Sequence, residues 1–236
     1  MKNATDITVI LDHSFSMHSV RSEMEEVLNG WVAQQKLVPG ECTFTLVSFD
    51  DIIEYPEGFQ GVPLSAVGPI YLVPRGNTAL LDAIGETIDR TGKRLAAMDE
   101  KDRPNKVMIV TVTDGAENQS KKYKNSDPAK GPIAAKVNEM VIHQRDVYKW
   151  DFVFLGADQD AITTAAGMGF TTALNYTNTP GGVRGMGSRL NKMSSSYRSS
   201  ESAEESTMQL CSISSAGGNS VNAADTEEWN KSQQKG

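Results

Sequence analysis

Short apolar runs alternate with stretches of helical period along most of this chain, and that alternation narrows the possible folds more than any other feature. Ile7 to Leu11 is apolar except for Thr8, Thr43 to Phe49 is β-branched and aromatic, and Val107 to Val112 and Phe152 to Leu155 follow the same pattern. Each reads as a buried strand. Between them, Val20, Met24, Val27, Leu28, Trp31 and Val32 recur at steps of three and four, as do Leu80, Leu81, Ile84, Ile88 and Leu95. Ile133, Val137, Met140, Val141 and Tyr148 mark a third helix, Ala161 to Ala166 a short fourth, and Arg184 to Tyr197 a last one. Strands alternating with helices predict a Rossmann-like, doubly wound, mostly parallel central sheet with helices on both faces. Ile52-Ile53-Glu54-Tyr55, stopped by Pro56, is expected as one antiparallel edge strand, and Thr171 to Tyr176 as another edge.

In sheets of this type, ligands bind beyond the carboxyl ends of the strands. Asp12 lies there after the first strand, and Asp114 lies there after Val107 to Val112. Ser14 and Ser16 follow Asp12 at one-residue spacing, where a tight turn can aim all three oxygens at one point. Thr78, in Arg-Gly-Asn-Thr-Ala-Leu, adds another hydroxyl, and Gly76 and Gly115 allow the neighbouring loops to come close. Every candidate is a hard oxygen donor, which suits Mg²⁺ or Mn²⁺; the lack of His or Cys among them argues against zinc.

Asp12-x-Ser14-x-Ser16, Thr78 and Asp114 together resemble the metal-ion-dependent adhesion site of von Willebrand factor A (VWA) domains. Thr-Asp-Gly-Ala-Glu-Asn, Trp-Asp-Phe-Val-Phe-Leu-Gly-Ala-Asp-Gln-Asp, Asn175-Tyr176 and Tyr197-Arg198 are similar to uncharacterised bacterial and phage members. Phe15 departs from the Gly found in many relatives. The resemblance covers residues 1–200 and implies a protein-binding module rather than an enzyme. In it a divalent cation, Mg²⁺ or Mn²⁺, is held by Asp12, Ser14, Ser16, Thr78 and Asp114 and accepts an Asp or Glu from a protein partner. His13, Phe15, Asn77 and Glu117 form the expected partner-facing rim; Glu117 either positions a metal-bound water or caps a turn. Two neutral serines keep the site's negative charge low, so the ion stays attractive to an incoming carboxylate. By the same resemblance the partner is an AAA+ ATPase or a phage or stress-response protein. The alternatives are a metal-dependent hydrolase acting on a phosphate-containing substrate, and a structural or assembly subunit.

Other features bear on partners and location. The net charge is −7, with no dominant basic cluster, so nucleic acid is not an expected partner. No apolar run approaches a membrane span, no apolar leader precedes the first strand, and Cys42 and Cys211 have no metal or redox spacing. The expected location is cytoplasmic. Residues 201–236 carry six acids against two lysines in a Ser/Gly/Asn-rich setting, and are expected to be a disordered acidic tail. Glu204, Glu205, Glu227 and Glu228 there are of the type the site takes, although a passive solvated tail is the simpler expectation.

Overall fold

A computed structural model describes residues 4–157, 160–215 and 220–234. Asp158 and Gln159 of the Ala-Asp-Gln-Asp run, residues 216–219 of the Ser/Gly/Asn-rich stretch and both extreme termini lie outside the described residues. In chain order the elements are β1 (Ala4–Asp12), α1 (Arg21–Lys36), β2 (Glu41–Phe49), β3 (Ile53–Glu54), β4 (Val62–Pro63), α2 (Leu80–Ala96) and β5 (Lys106–Thr113). There follow α3 (Ala135–Tyr148), β6 (Asp151–Ala157), α4 (Ala161–Gly167), β7 (Thr172–Tyr176), α5 (Pro180–Ser199), α6 (Ala203–Ser215) and α7 (Ala223–Gln233).

The strands order β3-β2-β1-β5-β6-β7, with β4 also pairing β2. All pairings among β1, β2, β5, β6 and β7 are parallel, and only the two-residue β3 and β4 run antiparallel. All nine residues of β1 are buried, as a strand covered by helices on both faces must be. Side-chain alternation divides them: Ile7, Val9 and Leu11 join a core with α1 and α5, while Ile10 faces α2 and α3. Because β2 lies on one side of β1 and β5 on the other, the winding reverses at β1. The loops after β1 and β5 therefore open into the crevice where such folds bind ligands.

The expected disordered tail is corrected by the structure: residues 203–215 and 223–233 are helices packed on the domain, so α5 is not the last helix. A few residues supply what the average composition conceals. Trp229 and Leu210 are buried in the core shared with α1 and α5, and one such side chain stabilises by about 1.5–3 kcal/mol. Glycines let α7 approach closely: a Cβ on Gly30 would lie 3.0 Å, and one on Gly187 3.2 Å, from the Trp229 ring. Asn222 and Asp225 form a reciprocal cap at the start of α7, and Asp225 also accepts a 2.8 Å bond from buried Arg189 on α5. Glu228 pairs with Lys192, and Glu205 accepts from the Glu201 backbone N–H at 2.9 Å and from Gln209 at 3.2 Å.

Candidate metal centre

Asp12 ends β1 and is fully buried. Its Oδ1 accepts the Ser14 backbone N–H at 2.7 Å, which curls the chain out of the strand and brings the next two serines round to the same side. Ser14 Oγ lies 3.1 Å from Ser16 Oγ, and Ser16 donates to Asp114 Oδ1 at 2.5 Å. The loop that brings Thr78 is tied down at both ends of its backbone unit. Thr78 N–H donates to Asn118 Oδ1 at 2.9 Å, and its carbonyl accepts the N–H groups of Asn118 at 3.1 Å and Gln119 at 3.2 Å.

Gly115 shows how close the oxygens come. A Cβ at that position would sit 2.9 Å from Thr78 Oγ1 and 3.7 Å from Asp12 Oδ2. Gly76 is required for a different reason: its φ is +63°, and its carbonyl accepts the Phe15 N–H at 3.3 Å. Ser16 thus bonds Asp114, and Thr78 Oγ1 and Asp12 Oδ2 flank Gly115, so the five expected oxygen donors come from three adjoining loops.

The electrostatics fit a cation. Asp12 accepts from a backbone N–H and from the Thr113 hydroxyl at 2.5 Å, and no Lys, Arg or His is among its described partners. Burial pushes its carboxyl up to about 6; bonds from Thr113 and Ser14 pull it down only in part, and the Asp114 charge adds to the rise. A buried carboxylate beside a second one, ringed by hydroxyls and lacking a positive partner, is the donor set a hard divalent ion takes. Among the described residues no group of three or more His, Cys, Asp or Glu is gathered anywhere. A site of two carboxylates and three hydroxyls does not depend on one.

The expected rim needs two corrections. Phe15 is 68% exposed and Asn77 is exposed. His13, by contrast, is buried, because its backbone N–H continues the sheet by donating to Phe49 O at 2.7 Å. Burial, and then the charge of Arg75, lower its imidazole to about 4, so it is neutral. Glu117 does cap a turn: it accepts the Leu81 N–H at the start of α2 at 2.9 Å and the Ser120 N–H and hydroxyl at 2.7 and 2.6 Å. It faces the helix rather than a partner.

Two contacts had not been expected. Thr113 was hidden in the apolar pattern of β5, although its place beside Asp114 could have flagged it. Asn178, between β7 and α5, donates to Asp114 Oδ2 at 2.9 Å, and nothing in its surroundings Thr-Asn-Thr-Pro marks it as a site residue.

The chain superposes on two solved structures of the same architecture, each with a TM-score of 0.55. One is proximal thread matrix protein 1 from the mussel byssus with a zinc-occupied MIDAS motif, at 15% identity over 81% of this chain and 46% of that one. The other is a von Willebrand factor type A structure from Catenulispora acidiphila, at 14% identity over 81% of this chain and 43% of that one. The chain has the VWA fold. It spans less than half the length of either of these structures. No protein-family model and no curated protein sequence matches it. In this fold the five candidate donors stand at the carboxyl ends of the strands, at the point where the winding reverses. No helix among the described residues is long and apolar enough to cross a membrane.

Proposed function

We propose that this VWA domain is a non-enzymatic binding module: Asp12, Ser14, Ser16, Thr78 and Asp114 hold a divalent cation, which accepts an Asp or Glu side chain of a protein partner. The observation that carries this reading is that the five donors come from adjoining loops around a buried carboxylate that has no positive neighbour among the described residues. When bound, the cation supplies a Lewis-acid anchor for an oxygen ligand. The chain's own residues do the rest. The curl after Asp12 sets the two serines side by side, and the neutral hydroxyls leave the ion attractive to another carboxylate. Exposed Phe15, against which His18 packs edge-on at 6.0 Å, offers an apolar contact beside the anchor.

The all-oxygen donor set favours Mg²⁺ or Mn²⁺, while the mussel relative's zinc-occupied motif makes zinc the competing ion to include. Binding rather than catalysis is supported by His13, the nearest imidazole in sequence, which is buried as a structural group. The two free cysteines, Cys42 and Cys211, are consistent with a reducing, cytoplasmic setting. The resemblance of the motifs to bacterial and phage VWA proteins suggests an AAA+ ATPase or a phage or stress-response protein as partner.

The test is a thermal melt of the full chain in EDTA, then with Mg²⁺, Mn²⁺, Ca²⁺ or Zn²⁺, followed by retention of Glu-containing peptides with and without the ion. Stabilisation by Mg²⁺ or Mn²⁺ and ion-dependent peptide retention are expected. An unchanged melting temperature in every ion would sink the cation reading, and ion-independent retention would sink the bridging role.

A further inference from the structure

The motif-bearing loops account for the five oxygens but leave open what orients Asp114. Its Oδ1 receives the Ser16 hydroxyl at 2.5 Å, while Oδ2 receives the Asn178 amide at 2.9 Å. Asn178 comes from a fourth segment, the crossing from β7 to α5, far in sequence from the other three.

That crossing is built to hold still. On its near side, the Val221 N–H donates to Asn175 O at 2.9 Å, adding a bridge between Ser220 and Asn175 at the edge of the sheet. On its far side, the Thr226 hydroxyl donates to Gly181 O at 2.8 Å. Thr179 caps α5 by accepting the Gly182 N–H at 3.2 Å. Residues on both flanks of Asn178 are therefore held by the start of α7 and the segment leading into it.

We propose that Asn178 is a positioning residue of the cation site: its side-chain amide holds Asp114 Oδ2 and turns Oδ1 toward Ser16 and the shared oxygens. The inference rests on the cation reading given above. An amide suits this task because it donates a hydrogen bond without bringing a charge. A Lys or Arg in its place would orient Asp114 equally well, but would also neutralise it and repel the ion. Partners of this kind, which bind a ligand group rather than the metal, typically carry one to two orders of magnitude of metal affinity.

Calorimetric titration of Mn²⁺ into the full-length chain tests it, using wild type, Asn178→Ala and Asn222→Ala. Asn222→Ala removes the α7 cap, whose side-chain bonds go to Ala224 and Asp225, and takes no described hydrogen bond from Asn178 or the five donors. Asn178→Ala is expected to bind Mn²⁺ on the order of tenfold more weakly, with a metal-free melting temperature close to wild type. Asn222→Ala is expected to melt about 2–4 °C lower with Mn²⁺ affinity unchanged. Equal affinity in Asn178→Ala and wild type overturns the proposal. Equal weakening in both variants also overturns it, because loss of general stability would then explain the effect. A wild-type chain that binds no Mn²⁺ is a separate result: it removes the cation reading itself, and this inference with it.

Discussion

Strand β1 carries two fully buried aspartates, one near each end, in opposite electrostatic settings. Asp6, near the amino end, meets Arg94 through two bonds of 2.8 and 2.9 Å and accepts the Thr43 hydroxyl as well. Asp12, at the carboxyl end, accepts from the Ser14 backbone N–H and the Thr113 hydroxyl, has no cationic partner among the described residues, and burial lifts its carboxyl to about 6. A fold that can compensate a buried carboxylate with a guanidinium at one end has not done so at the other. The amino end of the sheet also engages its buried ammonium group: Lys106 donates to the carbonyls of Tyr197, Arg198 and Ser200 at 2.8–3.0 Å, closing the end of α5. One end of the sheet is internally satisfied. At the other, Asp12 has no cationic partner among the described residues, which is what the proposed cation would supply.

The largest expected effect tests the satisfied end. Asp6→Ala leaves Arg94 without its carboxylate and costs about 3 kcal/mol, the low end for a broken buried pair, because the Arg94 side chain is 30% exposed and can partly rehydrate. Urea unfolding measures it; a loss below 1 kcal/mol would mean the two ends are less different than their geometry. This variant should keep the full stabilisation by Mn²⁺, since it leaves the oxygens untouched. Asp12→Asn should do the reverse. Without metal it should be at least as stable as wild type at pH 7, because an uncompensated buried charge is gone. With cation at 100 times the dissociation constant it should lack the increment of about 2.7 kcal/mol that binding gives wild type. Melts in Mn²⁺ and in EDTA read both quantities, and a wild-type increment retained in Asp12→Asn would break the comparison.

The parts of this contrast that sequence alone reveals are those written as local spacing. Asp12, Ser14 and Ser16 share a turn, and Asp114 directly follows a strand, so their convergence follows from strand order. Thr78 was recognisable through its place in the motif. Asn178 was not, because its role depends on where the crossing from β7 to α5 lands, which is a matter of tertiary packing. His13 alternates with ligand positions and so resembled a rim residue, but its backbone still belongs to the sheet. The helices α6 and α7 were missed because an average over Ser, Asn and Glu hides Leu210 and Trp229. Two anchors and the buried Arg189–Asp225 pair suffice where the facing helices are rich in glycine.

Asp151 sharpens the comparison, with the smallest expected effect. It opens β6 at the satisfied end, is buried, and like Asp12 has no cationic partner among its bonds: Tyr197 donates to it at 3.0 Å and Thr207 at 2.7 Å. Burial raises its carboxyl to about 6 from 3.8. Lack of a positive neighbour therefore does not by itself make a metal site; Asp12 differs in having Asp114 and the hydroxyls of Ser14, Ser16 and Thr78 on adjoining loops beside it. The sign of the pH effect follows from the raised value. Between about pH 4 and 6 the folded state holds this proton more tightly than the unfolded state, so wild-type stability falls as pH rises through that window and is flat above it. An Asn at 151 does not titrate there. Its Oδ1 can accept from Tyr197, and its amide can donate to Thr207, whose hydroxyl already has Ala203 O as an acceptor at 3.0 Å. Asp151→Asn should therefore match wild type near pH 4 and exceed it by about 2 kcal/mol at pH 7, with the gap opening across that interval. Asp12 contributes equally to both proteins and drops out of the difference. Mn²⁺ binding should be unchanged. If Asp151→Asn weakened Mn²⁺ binding, the two ends would not be separate, and the contrast between Asp6 and Asp12 would no longer identify the site.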